Sequence, residues 1–400
     1  MNLRSFTDLI SARHFVPIAV ALLFTATGEA VSGPYIALFA NDKAELSPFQ
    51  LGGLLTVRAI SSIAIGYSFG RWFDRRPTLV PLFLALGGGM TGFILLSLTT
   101  NYIALLAILA VPLAIGAAAF PQLFAVAKGH LDKSGPITAE RGVSFLRALW
   151  SVAWAIGPAI GAEIIVPYEF DGVFLTTALF AAIAIAIIVA SRIRAPANAE
   201  PKAGDTPRRV PSSRNALLAM AALTLFHMAM FMGSIAQSIS MIHDMGGNKR
   251  DVGHAYSICA GLEVFVMMGF VIRPVNPSSR RWLSAGFAAF ALYFAVIALH
   301  PTVNTVLAAQ IIRAVGIGIV GCLGIGYAQA AVGGRVGAAA ALFANSANLA
   351  LLLSGLTTGT WAHLFGYGSM FGACAGLSGL GLLIIQIRPR PQSPGLPNGR

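Results

Sequence analysis

Hydrophobic residues occur along the chain in long runs that are separated by short polar segments. A helix that crosses the hydrocarbon core of a bilayer needs about 20 such residues. Runs of this length predict an all-α membrane protein with twelve transmembrane helices. The predicted spans are 14–38, 50–72, 78–99, 102–127, 141–166, 172–192, 215–240, 252–275, 281–299, 303–328, 336–359 and 366–387.

The composition agrees with this prediction. Of the 400 residues, 56% are hydrophobic and 10% are charged, whereas soluble domains have about 25% charged residues. Cys259, Cys322 and Cys374 lie within apolar runs, so they indicate neither a disulfide framework nor a metal site. The net charge of +12 is spread between the runs and forms no compact basic domain, so we expect no nucleic-acid partner.

The basic residues also predict the topology. With the amino terminus in the cytoplasm, 21 of the 27 lysines and arginines fall in cytoplasmic segments and 3 fall outside. Because cytoplasmic loops carry an excess of basic residues, both termini are predicted to be cytoplasmic. We expect a multi-pass monomer whose surroundings are the lipid bilayer.

The longest polar stretch divides the chain into two halves of six spans. Residues 193–214 are rich in Pro, Ala, Lys, Arg and Ser, which predicts a flexible cytoplasmic linker. The predicted units are a first half over 1–192, the linker, a second half over 215–387 and a cytoplasmic tail over 388–400. Two such halves around a central cavity form a common transporter plan.

The loop after the second span resembles the signature loop of the major facilitator superfamily. It reads Gly-Arg-Trp-Phe-Asp-Arg-Arg-Pro over residues 70–77. The resemblance assigns gating roles to Gly70, Asp74, Arg75 and Arg76, whose contacts would form and break at the cytoplasmic face. The alternative is a positively charged cytoplasmic loop with an incidental aspartate.

Four further segments resemble the sugar efflux transporter family of that superfamily. They are 120–125 (Phe-Pro-Gln-Leu-Phe-Ala), 146–158 (with Leu-Arg-Ala, Ala-Trp and Ile-Gly-Pro), 260–263 (Ala-Gly-Leu-Glu) and 342–346 (Leu-Phe-Ala-Asn-Ser). The four segments lie in both halves of the chain and occur in the same order as in the family. It implies a transporter of the bacterial inner membrane that exports sugars or sugar-like small molecules in exchange for protons.

Charges inside predicted spans are costly unless they are paired or hydrated. Glu29 and Arg58 lie about 14 Å and 12 Å from the predicted outer face, and Glu263 and Arg313 about 17 Å and 15 Å. We therefore predict the pairs Glu29–Arg58 and Glu263–Arg313 as candidates for proton coupling. Glu263, which also matches a family segment, ranks above Glu29. The alternative role is that of structural ion pairs.

Sugars need hydrogen-bonding groups along the ring edge and an aromatic surface against the ring face. Several predicted spans offer such groups near mid-membrane depth. The substrate-binding candidates are Gln122, Arg147, Trp154, His227, Asn345 and Asn348. His227 lies among methionines, and a packed histidine is the alternative there.

The fifth predicted span combines a buried charge with a potential flexing point. Arg147 lies about 9 Å from the cytoplasmic side, which favours an inner-gate or substrate-contacting role. Gly157 and Pro158 follow, and proline removes a backbone donor from the helix. We therefore predict that Gly157 and Pro158 act in gating. A packed helix with a tolerated proline is the alternative.

Enzyme signatures are absent from the sequence. It has no phosphate-binding loop of the type found in ATP-driven pumps and no His-Glu-x-x-His or paired-cysteine metal motif. We therefore expect a transporter without enzymatic activity, cofactor or metal, whose partners are a small-molecule substrate and protons. A multidrug or amphiphile exporter, a non-transporting sensor and an importer remain as alternatives.

Overall fold

A computed structural model describes residues 9, 12, 14–132, 135–196, 214–276 and 278–387. The regular structure of these residues is helical. Twelve helical segments follow one another along the chain. They are α1 (Phe15–Asp42), α2 (Pro48–Arg75), α3 (Val80–Leu98), α4 (Tyr102–Leu131), α5 (136–168), α6 (170–190), α7 (Arg214–His243), α8 (Lys249–Ile272), α9 (Arg280–Leu299), α10 (Val303–Ala331), α11 (Val336–Phe365) and α12 (Met370–Gln386).

Length and hydropathy support twelve crossings within the described residues. Ten helices are long and apolar enough to cross a membrane, and one of them, Arg141–Ala190, is 50 residues long. Glu169 interrupts that helix with φ 53° and ψ −157°, which separates α5 from α6. The final helix, Met370–Gln386, is 17 residues long and apolar. The prediction of an all-α membrane protein is confirmed.

Two helices of the first half are irregular where proline interrupts them. In α1, Gly33–Tyr35 forms a 3₁₀ turn, because Pro34 cannot donate the backbone hydrogen bond that an α-helix needs there. In α4, the helix ends at Ala110 and restarts at Pro112. Both irregular segments contribute residues to the larger cavity described below.

The two halves, α1–α6 and α7–α12, contact each other at one end, which we call the closed end. There α5 packs against α8, and α2 packs against α11. A Cβ atom at residue 359 would lie 2.9 Å from the Cα of Gly52, and one at residue 253 would lie 2.4 Å from the carbonyl oxygen of Pro158. Glycine is therefore required at both contacts.

Polar contacts between described residues also join the halves at the closed end. They are Tyr35–Lys249, Asn41–His243, Asp42–His243, Glu163–Arg250, Glu163–His254 and Glu169–Lys249. Most of these side chains are partly exposed, so each pair contributes little to stability by itself. Together with the glycine contacts, they bring the halves together at this end.

Toward the opposite end, which we call the open end, these helices separate. Beyond the helix itself, no described atom lies within 4 Å of the position that a Cβ atom would take at Gly66 or Gly70 of α2. The same is true at Gly261 and Gly269 of α8. Arg147 of α5 is exposed. The structure is thus closed at one end and open at the other. Most of the predicted linker (197–213) and the predicted tail (388–400) lie outside the described residues.

Candidate functional site

A cavity of about 340 Å³, which we call the larger cavity, lies within the first half. Every helix from α1 to α6 contributes to its wall, and Ile235 of α7 is the contribution of the second half. Most of the lining residues are apolar. The polar ones are Thr25, Glu29, Ser32, Arg58 and Thr177, together with the indole of Trp154.

Glu29 and Arg58 both line this cavity, on α1 and α2. Arg58 acts electrostatically on Glu29. The described ion pairs do not include these two residues, so the direct contact that we predicted is not formed in this conformation. Both groups keep hydrogen-bonding capacity that a ligand could use.

Three hydroxyl groups around the two charges are held by the backbone. Thr25 donates to the carbonyl of Ala21 at 2.8 Å, and Thr177 donates to the carbonyls of Gly28 and Val173 at 3.0 Å. Ser32 donates to the carbonyl of Gly28 at 3.3 Å. Because their hydrogens are used in this way, the oxygens are left as acceptors.

Trp154 of α5 separates the larger cavity from a smaller one and lines both. A Cβ atom at residue 33 would lie 3.1 Å from the Cη2 atom of Trp154. Because Gly33 has no Cβ, the 3₁₀ turn of α1 leaves room for the indole. The smaller cavity, of about 170 Å³, lies between the halves. Its wall consists of Trp150, Ser151, Trp154, Ala260, Glu263, Val264 and Met267.

Glu263 and Arg313 do not form the direct ion pair that we predicted. Glu263 accepts a hydrogen bond from the thiol of Cys259 at 3.3 Å. Arg313 instead donates from Nη1 to Gln237 Oε1 at 3.0 Å and from Nη2 to Ser234 at 2.8 Å. The contacts of the guanidinium are therefore with neutral groups.

Two tyrosines complete the surroundings of Arg313. Its guanidinium lies over the rings of Tyr256 and Tyr293, 5.1 Å and 5.7 Å from their centroids. Arg313 is 5% exposed, and Tyr293 is 1% exposed. This packing fixes Arg313 between α7, α8, α9 and α10, away from the walls of both cavities.

The substrate-binding candidates are dispersed in this conformation. Trp154 lines both cavities, whereas Gln122, Arg147, His227, Asn345 and Asn348 line neither. Gln122 is buried, and its Oε1 has no hydrogen-bond partner among the described residues. His227 is 8% exposed and donates from Nδ1 to the carbonyl of Leu223 at 2.7 Å. This is the packed arrangement that we considered as the alternative.

Three of these candidates lie on exposed surfaces. Arg147, Asn345 and Asn348 are all exposed. Asn345 and Asn348 are three residues apart on α11, so they share a helix face. Their role in binding remains a prediction, since this conformation does not bring them into either cavity.

The predicted gating loop ends α2 at the open end. A Cβ atom at Gly70 would have no neighbour within 4 Å, and Asp74, Arg75 and Arg76 are exposed. The described ion pairs do not include Asp74. The loop is therefore free of interhalf ion pairs among the described residues, and its gating role stays a prediction.

Gly157 and Pro158 lie in a helix that remains regular. Glu169 is the residue of non-helical backbone between Pro136 and Ala190, so Pro158 causes no break. A Cβ at residue 157 would lie 2.5 Å from that of Ala30 on α1. In this conformation the pair is a point of close packing, and its predicted role in flexing remains a prediction.

Sequence reasoning did not identify the hydroxyls of Thr25, Ser32 and Thr177 or the partners of the closed end. The hydroxyl residues carry a signal, because each is polar within an apolar span. The pair Glu163–Arg250 carries none, since its members are 87 positions apart and lie near span ends. Within the described residues, no group of three or more His, Cys, Asp or Glu side chains could hold a metal ion.

Comparisons with known proteins agree with this architecture. Residues 18–344 match the profile of the Major Facilitator Superfamily. A Deinococcus radiodurans protein named "Putative sugar efflux transporter" is 34% identical over 370 residues, which cover 91% of this chain and 95% of that protein. Sugar efflux transporter A of Dickeya chrysanthemi is 27% identical, with 96% and 97% covered.

Solved structures show the same fold at low sequence identity. The nucleoside transporter NupG superimposes with a TM-score of 0.76 at 10% identity and covers 93% of this chain and 98% of its own. A POT family peptide transporter gives a TM-score of 0.76 at 11% identity, with 96% and 99% covered. The matched superfamily and the relatives consist of transporters, not enzymes. The chain is a multi-pass membrane protein that belongs to the Major Facilitator Superfamily and, within it, to the sugar efflux transporter family.

Proposed function

We propose that the chain exports sugars or sugar-like small molecules across the bacterial inner membrane in exchange for protons. The larger cavity is the substrate site of this proposal. The relatives named sugar efflux transporters support the substrate class, and the positions of the basic residues support cytoplasmic termini. The protein acts as a monomer in this account.

The observation that carries the proposal is the composition of the larger cavity. An indole, a carboxylate, a guanidinium and three backbone-held hydroxyls line one cavity. A sugar presents an apolar ring face and a rim of hydroxyls, each of which donates and accepts hydrogen bonds. Trp154 suits the ring face, and Glu29 and Arg58 supply an acceptor and donors for the rim.

Proton coupling is assigned to Glu29. A nearby positive charge favours the ionised form of a carboxylate, and loss of that charge favours the protonated form. Arg58 is the positive group beside Glu29, and the described residues do not tie either one into an ion pair. Substrate that hydrogen-bonds to ionised Glu29 and to Arg58 would hold the carboxylate deprotonated, and protonation of Glu29 would weaken it as an acceptor, so that substrate and proton alternate. Arg313 is too firmly bound by Gln237 and Ser234 to act in this way.

The closed and open ends support alternating access. The halves rock about the cavities, and the ion pairs and glycine contacts of the closed end separate while the open end closes. With the predicted topology, this conformation opens toward the cytoplasm, where an exporter takes up its substrate. The gating loop with Asp74, Arg75 and Arg76 would make its contacts in the opposite conformation.

Efflux of drugs or other amphiphiles is the second candidate function. The observation that favours it is the apolar majority of the cavity wall, which includes Leu55, Phe93 and Leu113. Such a wall can bind apolar ligands by removing their surface from water. A drug exporter would have less use for the ordered hydroxyls around Glu29 and Arg58.

Inverted membrane vesicles distinguish the two functions. Vesicles that contain the chain are expected to accumulate labelled mono- or disaccharides when energised by a proton gradient, and a protonophore should abolish the accumulation. Vesicles that carry Arg58→Ala should lose it, whereas Arg281→Ala, which removes an exposed arginine away from both cavities, serves as the control. Accumulation of lipophilic dyes without accumulation of any sugar would support the second function instead.

A further inference from the structure

We infer that the smaller cavity binds the ammonium group of an amino sugar, so that positively charged sugars are preferred substrates of this chain. The inference rests on the proposed function in sugar transport and specifies the substrate class. It concerns Glu263, Trp150 and Trp154, which meet in a space of about 170 Å³ between the two halves.

Helical spacing brings these groups together. Trp150 and Trp154 are four residues apart on α5, and Glu263 and Met267 are four residues apart on α8, so each pair shares a helix face. Phe120 packs edge-on against Trp150 with 4.2 Å between the ring centroids and supports the orientation of the indole. Two indoles from one half therefore face a carboxylate from the other.

The charge of the smaller cavity is unbalanced. Glu263 is the charged residue among its described lining side chains, and no lysine or arginine accompanies it there. Arg313 acts electrostatically on Glu263, but it does not line this cavity, and its guanidinium is bound by Gln237 and Ser234. Cys259 donates to Oε1 of Glu263, which leaves Oε2 available to a ligand.

The larger cavity provides the contrast within the same molecule. It contains Glu29 and Arg58, one charge of each sign, and so suits a neutral sugar. Because Trp154 lines both cavities, a sugar ring that packs on its indole can extend a substituent toward Glu263.

An ammonium group matches the smaller cavity in two ways. It can donate a charge-assisted hydrogen bond to Oε2 of Glu263, and such bonds are about twice as strong as neutral ones. It also gains cation–π attraction at the faces of tryptophan rings, which bind cations better than other aromatic rings do. A hydroxyl or an N-acetyl group at this position would bring no positive charge to the carboxylate.

Titration calorimetry with the purified full-length protein tests the inference. The probes are glucosamine, at a pH where its amine is protonated, and the neutral sugars N-acetylglucosamine and glucose. We expect glucosamine to bind about tenfold or more tightly than either neutral sugar. Glu263→Gln should remove most of this preference, and Trp150→Leu should reduce it. The exposed control Glu45→Gln removes an equal charge away from both cavities and should keep it.

Several results would overturn the inference. Equal affinities for glucosamine and glucose in the unchanged protein would do so, while they would leave the proposed function in place. A preference that persists in both Glu263→Gln and Trp150→Leu would do so as well. Tetramethylammonium that binds as tightly as glucosamine would indicate a general cation site rather than an amino-sugar site. Failure of all three sugars to bind would contradict the proposed function together with the inference.

Discussion

Arg250 binds Glu163 through two parallel hydrogen bonds, from Nε to Oε1 at 2.8 Å and from Nη2 to Oε2 at 2.5 Å. Arg250 lies in the first turn of α8, and Glu163 lies near the end of α5, so the pair spans the two halves at the closed end. Both side chains are more than half exposed. The contact orients the halves rather than supplying most of the energy that holds them together.

Glu163→Gln should therefore cause only a small opening of the closed end. The substitution removes the charge of Glu163 and weakens both hydrogen bonds from Arg250. A cysteine placed at Ala162, which is fully buried on α5 against Gly253 of α8, reports the opening through its labelling by a membrane-impermeant maleimide. The background would lack Cys259, Cys322 and Cys374. A labelling rate equal to that of Glu45→Gln would show that the pair does not hold the closed end.

Gly359→Ala should open the closed end far more. Its new methyl group would meet the Cα of Gly52 and the carbonyl oxygen of Pro48, both 2.9 Å away, and overpacking of this kind costs about 1–3 kcal/mol. The Ala162→Cys reporter is expected to label about tenfold faster. Gly372→Ala, where a Cβ meets no atom within 4 Å, is the matched control. Unchanged labelling in Gly359→Ala would contradict the role of the contact between α2 and α11.

Arg313→Met should destabilise the protein. It removes the hydrogen bonds that the guanidinium donates to Gln237 at 3.0 Å and to Ser234 at 2.8 Å, and a hydrogen bond to a charged group contributes about 1.5–3 kcal/mol. Thermal unfolding of the purified protein should therefore shift to lower temperature. Arg313→Lys keeps the positive charge, and the folded protein should retain proton coupling. Complete uncoupling in a stable Arg313→Lys protein would instead favour the Glu263–Arg313 partnership that the sequence suggested.

Trp154→Leu should weaken sugar binding about tenfold, because it removes the aromatic surface from both cavities. Trp154→Phe retains a ring and should bind sugar with intermediate affinity. The control is Trp361→Leu, since Trp361 donates from its indole to Ser369 and lines neither cavity. Equal affinity in Trp154→Leu and Trp361→Leu would place the substrate elsewhere.

The sequence was sufficient to predict the membrane-spanning helices, because long apolar runs have few alternatives in a bilayer. The boundary between α5 and α6 was predicted near residues 166–172, and the structure places it at Glu169. The extension of α1 to Asp42 and the breaks of α4 were not predicted. They depend on how individual prolines are accommodated, and that depends on neighbouring helices.

The site was harder to predict than the fold. Depth along a helix follows from counting residues, and this placed Glu29 and Arg58 at similar levels, where both line one cavity. The direction in which a side chain points around the helix axis does not follow from counting residues, since a helix that is apolar on all sides shows no preferred face. For this reason the sequence did not separate Trp154, which lines both cavities, from His227, which is packed among aromatic rings.

The same difficulty affects the partners of buried charges. Arg313 was expected to need a carboxylate, but hydrogen bonds from its guanidinium to Gln237 and Ser234 and two tyrosine rings take that place. These groups come from three other helices. Their convergence depends on helix packing, which a single sequence does not specify.

Sugar-driven proton movement in liposomes tests whether the chain exchanges sugar for protons. Purified protein is reconstituted with a pH-sensitive dye inside the vesicles, and a sugar gradient is applied in the absence of any other ion gradient. We expect the sugar gradient to drive protons in the opposite direction. Glu29→Gln should abolish the dye response while sugar binding persists, and Glu45→Gln should leave the response intact. A full response in Glu29→Gln, or transport of sugar without any change in internal pH, would contradict these expectations.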